Sequence, residues 1–64
     1  MKVYVYTEAA SFMPETYIGV AKSRKEAEKA MRKIYPHMKQ DGANSYISGA
    51  IEPIKLLFIH EEEI

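Results

Sequence analysis

Cysteine is absent from this 64-residue chain. Disulfide bonds and thiolate metal sites are therefore excluded, and a chain of this size loses two common means of stabilisation. The length predicts a single domain over residues 1–64. A chain this short buries only about 60% of the surface that it exposes when unfolded, so its stability is marginal. A second subunit is the remaining common means of stabilisation. The lack of cysteine also leads us to expect a cytoplasmic location.

Motifs for catalysis are scarce. The three glycines are isolated, so no glycine-rich phosphate loop is present. The serines lack the glycine-flanked context of an activated nucleophile. The two histidines, His37 and His60, are far apart and lack a ligand pattern. We therefore expect no enzymatic activity, no metal and no cofactor.

A long apolar run is also missing. A membrane-spanning helix needs roughly 20 apolar residues, and no segment of this chain approaches that length. The apolar run after Lys2 covers residues 3–6 and is soon followed by Glu8, so it does not resemble a secretory signal. We expect no association with a membrane.

One segment carries a clear helical pattern. Ser23 followed by Glu26 predicts a capping box, in which the Ser23 hydroxyl accepts from the Glu26 amide and the Glu26 carboxylate accepts from the Ser23 amide. Pro36 disfavours helical geometry at Tyr35, so the predicted helix spans 23–35. Apolar residues recur at three- and four-residue steps and predict a stripe that packs on a sheet. They are Ala27, Ala30, Met31, Ile34, Tyr35 and Met38, of which Met38 could instead belong to the turn after the helix.

The opposite side of this helix is strongly basic. Residues 22–39 contain seven basic and two acidic side chains, whereas the rest of the chain contains two basic and seven acidic ones. One interpretation is a solvated helix face, supported by an ion pair of Glu28 with Arg32 one turn away. The other is a surface that binds phosphates or an acidic partner. The candidate binding residues are Arg24, Lys25, Lys29, Arg32 and Lys33.

Four segments are rich in strand-forming residues. Residues 2–7 and 16–21 predict a hairpin, and residues 45–51 and 54–60 predict two later strands. The last segment could instead form a helix, but its β-branched and aromatic residues favour a strand. The resulting order is β-β-α-β-β, an α+β domain of two layers with one helix on a mainly antiparallel sheet. Asp41-Gly42 predicts a turn before the third strand.

The alternation within these strands predicts which face meets the helix. We expect Val3, Val5, Ile18 and Val20 to face the helix, which leaves the hairpin tyrosines on an uncovered face. In the loop between the two hairpin strands, Phe12 and Met13 are expected to fold back over an edge of the core. Strand 54–60 is apolar on both faces, which is typical of a central strand or a subunit contact. The candidate self-association surface comprises Tyr4, Tyr6, Tyr17, Leu57 and Ile59.

These patterns support two functional hypotheses. The leading one is a protein-interaction module that pairs with itself as a homodimer through a sheet face or an edge strand, or with another protein. The alternative is a nucleic-acid-binding protein that uses the basic face of helix 23–35, with the sheet tyrosines as a platform for stacked bases. The zero net charge of the chain and the placement of cations and tyrosines on opposite sides favour the first hypothesis.

Overall fold

The computed structural model describes residues 1–10, 14–49 and 54–64. Its elements are β1 (Lys2–Ala9), β2 (Thr16–Ala21), α1 (Arg24–Ile34), β3 (Lys39–Gln40), β4 (Ser45–Ile47) and β5 (Leu56–Glu63). The strands form one antiparallel sheet in the order β2-β1-β5-β4-β3. The predicted α+β fold, with one helix on a mainly antiparallel sheet, is confirmed. The two-residue strand β3 was not predicted. The loop residues Phe12 and Met13 lie outside the described residues.

The first and last strands are neighbours at the centre of the sheet. β1 and β5 pair over eight residues each, from Lys2 opposite Glu63 to Ala9 opposite Leu56. The last segment is therefore a strand, as favoured, although it begins and ends later than residues 54–60. Its acidic end continues the strand because β1 offers a backbone ladder whatever the side chains are. Residue 53, which precedes the predicted strand, lies outside the described residues.

The helix begins and ends where the sequence indicates. The Ser23 hydroxyl accepts from the Glu26 amide over 3.2 Å, as predicted. The Glu26 carboxylate accepts from the Lys22 amide over 3.3 Å rather than from the Ser23 amide, so this half of the capping box is shifted by one residue. At the other end, the Tyr35 amide donates to the Met31 carbonyl oxygen over 2.8 Å before Pro36 stops the helix.

The third predicted strand, residues 45–51, ends early in the described part of the chain, and residues 50–51 lie outside that part. β4 ends at Ile47, and Gly49 has a φ of 91°, a left-handed conformation that favours glycine. The His37 carbonyl group also occupies the space that a Cβ at position 49 would need. The predicted Asp41-Gly42 turn is confirmed, because both amides donate to the Ser45 carbonyl oxygen, over 2.8 and 3.0 Å.

The core lies between α1 and one face of the sheet. Its buried residues are Ala27, Met31, Met38, Tyr46, Leu57 and Ile59, and Tyr4, Tyr6, Ala21 and Tyr35 pack against them. The prediction that valine and isoleucine face the helix is therefore wrong, since Tyr4 and Tyr6 do so. Both faces of β1 are apolar, so its orientation is decided by its register with β5, where Tyr6 lies opposite the buried Ile59.

Small residues make room for these tyrosines. Tyr4 lies opposite Ala21, and Tyr6 lies opposite Gly19. A Cβ at position 19 would come within 2.6 Å of the Tyr6 hydroxyl oxygen. Large side chains on β1 are thus matched by small ones on β2, a volume match between neighbouring strands that alternation alone does not reveal. Within the described ranges, no helix is both long and apolar enough to cross a bilayer.

Candidate interaction surfaces

The sheet face that points away from α1, here called the open face, is largely apolar. On it, Val5 lies between Val20 of β2 and His60 of β5, and Thr7 lies opposite Phe58. A register shift after Tyr6 places Tyr17 opposite Thr7 and so on the same face. The apolar residues of the open face are Val3, Val5, Tyr17, Val20, Ile47, Leu56 and Phe58.

Three apolar residues of the open face are exposed to solvent, and its other apolar residues are partly buried. Tyr17 is 63% exposed, Val20 is 50% exposed and Leu56 is 39% exposed. All five strands lie in one sheet and α1 packs on its other side, so no helix or strand of the described residues covers this face. Contiguous apolar patches of this kind on small proteins are typical of interaction sites.

One polar contact crosses the open face. The His60 imidazole Nε2 lies 3.6 Å from the Glu15 carboxylate, and the His60 ring stacks on Phe58 with 5.9 Å between ring centroids. His60 belongs to β5 and Glu15 precedes β2, so their contact spans the intervening β1. Thr7 of β1 is only 6% exposed, and its hydroxyl has no hydrogen-bond partner among the described residues. Besides this pair and Thr7, the register places three further polar residues on the open face: Ser45 opposite Phe58, Glu62 opposite Val3 and Lys39 opposite Ile47.

The residues predicted for self-association are divided between the two faces. Tyr17 lies on the open face. Leu57 and Ile59 are fully buried beneath α1, and Tyr4 and Tyr6 pack against the same core. Four of the five therefore lie on the covered side, because the tyrosine face was assigned to the wrong side of the sheet. The valines that were expected under the helix form the accessible face instead.

The covered tyrosines make polar contacts along one side of α1. The Tyr46 hydroxyl donates to the Glu28 carboxylate over 2.6 Å, and the Arg24 guanidinium lies over the Tyr4 ring at 5.9 Å from its centroid. Burial raises the pKa of Tyr46, and the hydrogen bond to Glu28 raises it further. Arg24 also donates to the Asn44 side-chain oxygen over 2.6 Å. These tyrosines cannot form an accessible platform for stacked bases, since their rings face the core.

The outer side of α1 is a second candidate surface, here called the basic face. It consists of Lys25, Lys29, Arg32 and Lys33, all of which are exposed. Arg24 was predicted with this set but is turned towards Asn44. The other four predicted cations therefore share one surface.

The acidic residues of the helix are held away from the basic face. Glu26 accepts from the Lys22 amide, and Glu28 accepts from the Tyr46 hydroxyl. Arg32 donates to the Met38 carbonyl oxygen over 3.2 Å, and the suggested ion pair of Glu28 with Arg32 is not formed. Among the residues that the structure describes, no carboxylate lies within 4 Å of a basic-face cation. The basic face therefore keeps its full charge.

A shallow cavity of about 160 Å³ lies where β1 ends and β2 begins. It is lined by Glu8, Ala9, Ala10, Pro14, Thr16 and Lys55. Its two charged groups already contact each other, with 3.8 Å between the Lys55 ammonium and the Glu8 carboxylate. Tyr35 also donates a hydrogen bond to Glu8. The charged atoms of this cavity are thus used in internal contacts.

Chemistry of other kinds is not indicated within the described part of the chain. There, no group of three or more histidine or acidic side chains is placed to hold a metal ion. Comparison of the chain with models of protein families, with curated proteins and with solved structures finds no match. The open face and the basic face are the two surfaces from which a function can be argued.

Proposed function

We propose that this protein is a small, non-catalytic interaction module that forms a homodimer by stacking the open faces of two copies. The observation that carries this proposal is the apolar sheet face that the described residues leave uncovered. Removing apolar surface from water is the main driving force for such contacts. A cytoplasmic location, expected from the absence of cysteine, belongs to the same proposal.

The chemistry of the open face favours a second copy as the occupant. A twofold axis brings the same patch of both subunits together, so an apolar patch is its own suitable partner. The net charge of the chain is zero, so two copies do not repel each other overall. Stacked antiparallel sheets are also a common way to bury two inner faces, at a separation of roughly 10 Å.

The size of the open face suits a small dimer. β1 and β5 have eight residues each and β2 has six. With roughly 3.4 Å per residue and roughly 4.8 Å between strands, these three strands alone give a flat area of roughly 350 Å². Short β4 and the relief of the side chains add to this area. Two such faces give roughly 700 Å² of flat area, so β4 and the relief of the side chains must supply the rest of the about 1,200 Å² at the lower end of specific interfaces.

The polar contact on the open face is compatible with burial. The His60 imidazole and the Glu15 carboxylate contact each other over 3.6 Å, so neither is an isolated polar group, and burial of an isolated charge is far more costly. The Thr7 hydroxyl is already buried within one subunit. Lys39 belongs to the edge strand β3 and Glu62 lies next to the end of β5, so both charges can stay hydrated at the rim of the dimer interface.

Sedimentation over a range of protein concentrations tests the proposal. The expected result is a dimer, with twice the mass of the 7.4 kDa chain, that dissociates on dilution. The chain mass at every concentration would show that the open face does not pair and would refute the homodimer. A dimer that persists when open-face residues are made charged would refute this face as its interface.

A further inference from the structure

We infer that the dimer bridges two segments of nucleic-acid duplex, each bound through its phosphates by the basic face of one subunit. This inference rests on the proposed homodimer. Three features of the molecule support it: the placement of the cations, the contacts of the neighbouring acids and the position of α1 relative to the open face.

The four cations lie directly opposite the buried side of the helix. Successive helical residues are rotated by roughly 100°. Relative to the buried Ala27 and Met31, the four basic-face residues therefore occupy an arc of roughly 100° on the far side of α1. With Glu26 and Glu28 held at the flanks by hydrogen bonds, this arc contains only positive charge.

The spacing of these cations suits a polyphosphate. Lys25 and Lys33 are eight residues apart, a distance of roughly 12 Å along the helix axis. The four cations thus provide about one charge per 4 Å, and each strand of a DNA duplex carries one phosphate per roughly 3.4 Å of axis. A helix surface of this kind can follow a phosphate backbone for several nucleotides, whereas a single phosphate would use only one or two of the cations.

In this fold, we expect the protein to contact a nucleic acid mainly through its phosphates. Tyr4, Tyr6 and Tyr46 face the core, so they are not available to stack on unpaired bases. Contacts to phosphates position a protein but do not read sequence. We therefore expect duplex binding without sequence preference and with a strong dependence on salt.

Pairing through the open faces places the two basic faces far apart. The order of layers is helix, sheet, sheet, helix, because α1 lies on the side of each sheet opposite its open face. At roughly 10 Å per pair of packed layers, the two helix axes are roughly 30 Å apart. The two basic faces point in opposite directions, so they contact two separate duplexes rather than one.

The experiment uses short random-sequence duplexes, one set labelled with a fluorescence donor and the other with an acceptor. Binding is measured by anisotropy and bridging by energy transfer at the same salt concentrations. Lys25→Gln with Lys29→Gln removes half of the basic-face charge. Lys2→Gln with Lys55→Gln is the control, because it removes the same formal charge from other surfaces. Val20→Lys disrupts the open face and leaves the basic face intact.

For the wild type we expect both binding and energy transfer. The slope of log affinity against log salt should be about −3.6 for four phosphate contacts, and about −1.8 for the variant at 25 and 29. The control variant should keep the wild-type slope. The Val20→Lys protein should bind single duplexes but give no energy transfer.

Several outcomes would overturn the inference. They are absent binding at low salt, equal slopes for the two double variants, and competition by polyglutamate or anionic vesicles as strong as that by unlabelled duplex. Energy transfer that survives in a monomeric Val20→Lys protein would also contradict bridging by the dimer. Failure of the homodimer itself is recognised separately, because sedimentation without nucleic acid then gives a monomer for the wild type.

Discussion

Val20→Lys is the sharpest test of the open face, because the structure contains a matched position elsewhere. Val20 on β2 is 50% exposed, and Ile34 at the end of α1 is 51% exposed. Both are β-branched aliphatic residues, but only Val20 belongs to the open face. Val20→Lys and Ile34→Lys therefore make the same change at the same exposure on different surfaces.

The expected effect on dimerisation follows from the surface that each subunit would bury. Full burial of a valine contributes about 1.5–3 kcal/mol, so the exposed half of Val20 contributes about 1 kcal/mol per subunit. The ammonium group that the substitution introduces in each subunit must also leave the interface or lose part of its hydration, at a cost of at least about 1 kcal/mol. Two subunits give about 4 kcal/mol, which weakens dimerisation on the order of several hundred-fold.

Sedimentation equilibrium measures this change in the dissociation constant. Ile34→Lys should leave the constant within about twofold, because a cation near the end of a helix is tolerated on the surface. Circular dichroism should show that both variants remain folded. Similar dissociation constants for Val20→Lys and the wild type would refute the assignment of the interface, and equal weakening by both variants would show that added charge alone is responsible.

Three further predictions concern stability. Gly49→Ala should lower the free energy of unfolding by at least about 1–2 kcal/mol in a urea titration, because alanine disfavours the left-handed conformation and its Cβ would collide with the His37 carbonyl group; an unchanged midpoint would contradict this local geometry. Ser23→Ala should lower it by about 1 kcal/mol through loss of the helix cap, and Ser23→Asp should restore most of the loss. Tyr46→Phe should lower it by about 1–2 kcal/mol at neutral pH through loss of the hydrogen bond to Glu28. Since burial raises the pKa of Tyr46, the unfolded chain loses this proton first as pH increases. The stability from Tyr46 is thus fully present below the unfolded pKa and is lost as pH rises through the folded pKa. The wild type should therefore lose more stability than Tyr46→Phe over this alkaline range, and parallel pH profiles would contradict the raised pKa.

Local signals in the sequence determined the type and order of most elements. The Ser23 cap, Pro36 and the apolar stripe between them predicted a helix that matches α1 within about one residue at each end. The turn at Asp41-Gly42 was equally local, because its hydrogen bonds join residues four or fewer positions apart. Such features can be predicted from the sequence because the groups that form these hydrogen bonds are close together in the chain.

Contacts between residues far apart in the sequence decided which face of β1 meets the helix and where β4 ends. β1 alternates valine with tyrosine, so both of its faces are apolar, and its pattern does not show which one meets the helix. The pairing of Tyr6 with Ile59 and the space above Gly19 place the tyrosines inside. The end of β4 is a similar case, since the position of Gly49 depends on the His37 carbonyl group twelve residues away.

The two candidate surfaces follow the same division. The charge of the basic face was visible in the sequence, because helical spacing alone gathers Lys25, Lys29, Arg32 and Lys33 on one side. Tertiary contacts decided that Arg24 turns aside and that Glu28 binds Tyr46 instead of Arg32. For the open face, the sequence showed only that apolar residues alternate along the strands. Its location depends on which side of the sheet the helix covers, and packing volumes across strands far apart in sequence decide that.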